Sequence, residues 1–368
     1  MSAARDAVHL EPTGDQTAAI DAVAARLARD GGGRVPLGTL LGDLDRRARR
    51  TWLPARAVHR AYTFDATDRR DERWWPQGVT TSGDADPSGR VEGRRLVAVA
   101  WYAKQLPGDP KGGQGSRVTL LDLDSRRYRH VLLARVVAGK DGAEPTLAPL
   151  RVHAGGLVWH GPHLHVAATG RGFHTCHTDD LLRVPDALAR SDDWPLAGYR
   201  YVLPVRFSYR AQAAEGAEPL RYSFLSLDRA SDPPALVAGE YARGSQGDRS
   251  RRLARFPLDP SSGLPGTGPD GAARPELLAE GVAQMQGAVV AQGRWHVTTS
   301  HGPWGPGSVW TGTPGERLHQ HRWATPMGVE DISYWPGTDE LWSVSEHPRR
   351  RWVFAMRRRW FERRHPRG

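Results

Sequence analysis

Two pairs of reactive side chains bracket one stretch near the end of the chain, "PMGVEDISYWPGTDELWSVSEHP", residues 326–348. Glu330 and Asp331 precede a strand-like run, and Glu346 and His347 follow the next one. Carboxyl and imidazole groups are the side chains that hold and move protons near neutral pH. His153 in "VHAGG" and His301 in "TTSHGPWG" fall at comparable places beside short apolar runs. Glu330, His153 and His301 are therefore the candidates for general acid/base work. The same three admit one divalent metal ion: two imidazoles point to a transition metal, whereas a carboxylate with amide oxygens would suit calcium. Gln77, Gln286, Trp101, Arg171, Glu346 and His347 are the candidates for holding a ligand. Each has an ordinary structural alternative. Amides near glycines can bond strand backbone, and Glu346 and His347 precede an Arg run that could pair with them. Glu330 is the most informative, because an acid near the centre of a fold is costly unless paired.

No familiar catalytic motif replaces this reading. "GTGPDG", residues 266–271, matches G-x-G-x-x-G literally, but Pro269 lies inside it and no helix follows. "GDPKGGQGS", residues 108–116, is glycine-rich, yet Lys111 is not at phosphate-loop spacing. His174, Cys176 and His177 are close in sequence, but one cysteine between alternating histidines is a poor zinc site.

The candidates need a scaffold that brings distant residues together. From about residue 57 the apolar period changes from 3.6 to 2, and short strand-like runs recur between Gly, Pro and Asp turns. Four segments align, starting at Gln77, Ala154, Gln286 and Glu330: a small or polar residue, a short strand, a turn and a second strand. Leu-Asp units at 123–124, 227–228 and 258–259 read as later strands of the same repeats. The pattern resembles the blades of β-propeller proteins, and "GVEDISYWPGTDELWSVSE" is loosely similar to inner hairpins of the gluconolactonase and strictosidine-synthase kind. The resemblance implies a ring over roughly residues 57–360. The long gap between Gly155 and Gly287 must hold two blades, one of them around "YVLPVRFSYR…LRYSFLSLD". The expected fold is all-β, a five-bladed propeller closed by "AYTFDA", with six or seven blades left open. Inner-strand starts and second-strand ends share one face of such a ring, so one mouth would collect the residues named above.

Residues 1–56 differ. Ile20, Val23, Ala24 and Leu27, then Leu37, Leu40, Leu41 and Leu44, recur at helical spacing, which predicts an N-terminal helical hairpin. Of the 51 basic residues only Lys104, Lys111 and Lys140 are lysine, as expected of a GC-rich, bacterial genome. Residues 349–368 carry nine Arg against one acid, Glu362, so most of the net charge of +10 is local to a basic C-terminus, with 361–368 as a tail. An anionic partner at that end is the alternative to a small polar ligand in the mouth. One cysteine, no long apolar span and no apolar leader near the N-terminus fit a cytoplasmic protein.

Overall fold

Strand "LVAVAWYA", Leu96–Ala103, is apolar at nearly every position because both of its faces are covered. Val97, Val99 and Trp101 pack with Trp335, Trp342 and Val344, whereas Leu96, Ala98 and Ala100 pack with Leu157, Trp159 and Leu164. Such burial on two sides is what sheets arranged around a ring require. The computed structural model describes residues 7–108, 114–139, 142–191, 194, 196–243, 250–314 and 316–362. The glycine-rich loop with Lys111 and the tail residues 363–368 lie largely or wholly outside them.

Among the described residues the main strands form successive antiparallel runs of four, the first two joined at their outer strands by a parallel pairing of Val202–Pro204 with Leu132–Ala134. The first is Trp74–Thr81, Leu96–Ala103, Ser116–Asp122 and Arg127–Val137, and the second is Leu157–His160, His163–Ala167, Phe173–His177 and Tyr201–Ala213. The third is Phe224–Asp228, Ala235–Gly239, Arg252–Pro257 and Leu277–Glu280. The fourth is Met285–Ala291, Arg294–Thr299, Gly307–Gly312 and His319–Thr325. The last is Val329–Trp335, Glu340–Ser345 and Trp352–Arg357, completed by Val58–Thr63 from the start of the chain. This is β-propeller architecture. The first strand of each run touches the first strand of the next, and the last touches the first. Apolar seams fill the wedges between neighbouring runs. Each fully buried aliphatic or aromatic side chain there contributes about 1.5–3 kcal/mol.

Two expectations are corrected. Leu227 and Asp228 lie on the inner strand of the third run, not on a later strand, and Tyr201–Ala213 is the outer strand of the second run. The third inner strand starts with Phe224 rather than Gly or Gln, so it lacks the marker shared by the others. At the N-terminus, helix Thr17–Ala28 buries Ile20, Val23, Ala24 and Leu27 as expected. The second helix, however, covers only Leu37–Gly42. Between them Gly33–Arg34 pairs with Leu182–Arg183, and after them Arg46–Arg47 and Arg49–Thr51 add to strand edges. The charged run after Leu44 offers no apolar stripe to prolong a helix, whereas the strand edges offer backbone partners.

The centre of the ring is built from glycines and one acid. A Cβ on Gly78 would lie 2.7 Å from the Gly156 carbonyl carbon, one on Gly156 1.9 Å from the Leu225 nitrogen, and one on Gly287 2.6 Å from the Asp331 Cα. Backbones approach so closely that only glycine fits. Into this space the last inner strand places Asp331, which is fully buried. Its Oδ2 accepts the N–H groups of Val79 (3.1 Å) and Leu157 (3.2 Å), from the first and second runs. Nearby, Asp84 Oδ2 accepts the hydroxyls of Thr80 (2.7 Å) and Ser333 (2.6 Å).

Removing the Asp331 carboxyl orphans two buried amides, at about 1–3 kcal/mol each. We expect Asp331→Ala to lower urea-unfolding stability by roughly 2–6 kcal/mol, and Asp331→Asn, which keeps an acceptor, by less than half of that. Burial pushes the Asp84 carboxyl up to about 6 against its hydrogen bonds. Its contribution is full below the unfolded value near 4 and is lost as pH rises through about 6. Asp84→Asn should therefore remove roughly 2 kcal/mol from the fall in stability between pH 4 and pH 7.

Candidate functional site

Three inner strands carry a β-bulge at the same level: between Pro76 and Val79, between Met285 and Gly287, and between Val329 and Ile332. A bulge interrupts the ladder and re-aims the side chains on it. The residues it re-aims are Gln77, Gln286 and Glu330, three of the four positions aligned in the sequence. Carbonyls released by the last bulge are taken by hydroxyls: Thr298 Oγ1 donates to Glu330 O (2.8 Å) and Ser343 Oγ to Asp331 O (2.7 Å).

The mouth that results joins groups from both ends of the sequence. Gln77 is buried and its Nε2 donates to Glu346 Oε2 at 2.9 Å. His347 Nδ1 lies 3.6 Å from Glu346 Oε1, and its ring meets the Trp75 edge at 5.6 Å between centres. Tyr102 and His153 meet with their rings tilted by 43° and 4.4 Å between centres, beside a cleft of about 250 Å³ also lined by Ala103, Gly115, Arg151 and Val152. Glu330 is only 3 % exposed, and among the described residues its carboxyl has no hydrogen bond.

Electrostatics separates the two acids. Burial, then the charges of Glu346 and Asp331, hold Glu330 well above the usual carboxylate range. Burial also raises Glu346, but the Gln77 bond, Lys104 and Arg351 pull the other way. Glu346 therefore ionises first and Glu330 keeps its proton. Burial pushes Tyr102 up, helped by Glu346 and Glu330. Crowding and Lys104 pull His153 down, and His347 is lowered in the same way. Both imidazoles are neutral at pH 7.

Not every expected residue joins this site. Trp101 is fully buried in the seam between the first and last runs, where strand alternation points it, and so cannot touch a ligand in the mouth. Arg171 is exposed, and its charge acts on His174. His301 is exposed, with Nε2 3.1 Å from Ser308 Oγ. Among the described residues no three His, Cys, Asp or Glu side chains are grouped to hold a metal, so His153, His301 and Glu330 are not a metal triad. Gln286 is half-buried on its bulge. The loop after His301 still walls the mouth: Arg350 donates to Pro303 O (2.8 Å) and faces Trp304, which is 85 % exposed.

Lys104, Trp75 and Arg351 were not singled out in the sequence. Arg351 is fully buried, donating from Nε to Glu346 O (2.9 Å) and from Nη1 to Asp68 O (2.6 Å). Nothing in "HPRRRW" sets it apart from Arg349 and Arg350. Asp68 heads a second buried cluster. It accepts from Arg117 (3.0 Å), Tyr128 (2.6 Å) and Arg46 (3.3 Å), and contacts His130 Nε2 (2.9 Å). Its charges are matched and its carboxyl is saturated, which marks a structural clamp between the first and last runs.

No family model matches the sequence, and no curated protein does. Solved structures share about a tenth of their residues with it. The β-propeller domain of Cps50 (Swd1) from Myceliophteria thermophila is 10 % identical over 77 % of this chain and 96 % of its own, with a TM-score of 0.37. A GH43_1 enzyme from Xanthomonas citri is 11 % identical over 76 % and 86 %, at 0.37, and RS223 β-xylosidase is 9 % identical over 77 % and 92 %, at 0.35. At such values the likeness carries nothing about the chemistry of this chain. Among the described residues no helix is long and apolar enough to cross a membrane.

A carboxyl raised in the fold stabilises it only while protonated, so its contribution is full below the unfolded value near 4.3 and lost as pH rises. Glu330→Gln removes that loss. We expect the variant to be more stable than the parent at pH 8, with the difference closing by pH 4.5, measured by urea midpoints at both values.

Proposed function

We propose that the chain is a five-bladed β-propeller whose axial mouth binds a small polar, saccharide-like molecule and acts on it by general acid/base catalysis, as a hydrolase or lyase. The observation that carries this reading is Glu330: a buried acid with no hydrogen-bond partner among the described residues, held protonated beside a second acid that ionises first. Two carboxyls whose environments drive their proton affinities apart are the usual arrangement for an acid and a base. Glu330 would donate its proton to the leaving oxygen as the bond to it breaks. Glu346, fixed by Gln77, would take a proton from the attacking water or from a carbon-bound position. Tyr102, His153 and exposed Trp304 offer faces on which a sugar ring can lie. No metal enters this scheme, because among the described residues the side chains of the mouth do not form a ligand set.

The alternative, a scaffold that meets an anionic partner through its Arg-rich end, draws less support. Arg351 is fully buried, and Arg358 is buried and bonded to Asp339 and Glu362. The arginine-rich stretch is thus partly interior.

The test is turnover of a panel of chromogenic glycosides and lactones. We expect Glu330→Gln to lower kcat by about 10²–10⁴-fold, the range of general acid catalysis, with substrate binding retained. A variant as active as the parent would end the acid assignment.

A further inference from the structure

The mouth holds a cation that its own acids do not neutralise. Lys104 follows strand Leu96–Ala103, with its backbone N–H bonded to Arg73 O at 2.8 Å. Its Nζ sits 3.0 Å from the centre of the Trp75 ring. This cation–π contact fixes an otherwise flexible side chain over the site. The charges acting on the ammonium are Glu346, which attracts it, and Arg351, which repels it. Glu346 already bonds Gln77, and among the described residues no carboxylate lies within ion-pairing distance of Lys104. From its place over Trp75, Lys104 acts in turn on Glu346, His153 and His347. Arg151 lines the adjoining cleft with Tyr102 and His153, and is exposed. With Glu330 protonated and both imidazoles neutral, Glu346 is the one acid whose charge acts on Lys104, and Arg351 beside it is already shared with Asp71 and Asp68.

We propose that the ligand of the mouth carries an anionic group, a carboxylate or a phosphate, seated on Lys104 with Arg151 at the rim, while its hydroxylated ring lies against Tyr102 and His153. The inference rests on the mouth being a ligand site and adds the charge class of that ligand. A charge-assisted hydrogen bond adds about 1.5–3 kcal/mol, which is roughly ten- to a hundredfold in affinity.

Calorimetric titration of the full chain with D-glucuronate, D-glucose 6-phosphate and D-glucose at low salt tests it. We expect one of the two acidic sugars to bind at least about tenfold more tightly than glucose, with a preference that shrinks as salt is added. Lys104→Gln should abolish the preference at unchanged thermal midpoint, and Lys104→Arg should keep it. Glucose binding as tightly as both acidic sugars, or an unchanged preference in Lys104→Gln, would overturn the anionic class and leave the mouth reading standing. Absence of binding by all three would overturn both.

Discussion

One carboxyl group reaching across the centre of the ring sets the terms for the rest of the molecule. Asp331 belongs to the last run but takes amides from the first and the second, so one side chain ties together strands that begin about 250 residues apart. It can do so because Gly78, Gly156 and Gly287 leave no side chain in the way. The cost is a buried acid whose Oδ1 has no hydrogen-bond partner among the described residues. Burial outweighs the amides and raises its proton affinity well above that of a free carboxyl. An interior that already contains Asp331 makes ionisation of the adjacent Glu330 harder still, so the centre of the fold and the mouth are electrostatically linked.

The bulge at Glu330 and Asp331 is the device that divides the labour. In a regular strand neighbouring side chains point to opposite faces of the sheet. Here the disrupted ladder lets one acid bridge inner strands and the other lie among Tyr102, Glu346 and Asp331. Thr298 and Ser343 satisfy the two carbonyls that the bulge releases, which keeps the distortion affordable in a dry interior.

Much of this was legible in the sequence because it depends on local pattern. The repeat alignment puts Gln77, Gln286 and Glu330 at equivalent strand starts, and the register shifts of the structure fall on those three positions. What stayed hidden depends on partners distant in the chain. Trp101 looked like a ligand platform until its seam neighbours Trp335 and Trp342 fixed which way it faces. Arg351 could not be told from the arginines beside it, because its burial is imposed by Asp68 and Glu346, hundreds of residues and a few residues away respectively. His301 was misplaced as a metal ligand because a strand end gives position but not direction, and its ring turns to Ser308.

The asymmetry between Glu330 and Glu346 follows from where cations can reach. Arg351 enters from the clamp around Asp68 and stops at the Glu346 backbone, and Lys104 is held over Trp75 on the same side. Neither is among the groups that set the proton affinity of Glu330, whose charged neighbours are both acids. An acid surrounded in this way is poorly stabilised as an anion by the protein, which is why its proton affinity is high. Asp331 and Asp68 differ from it in their partners: the first receives two backbone amides and the second the guanidinium groups of Arg117 and Arg46.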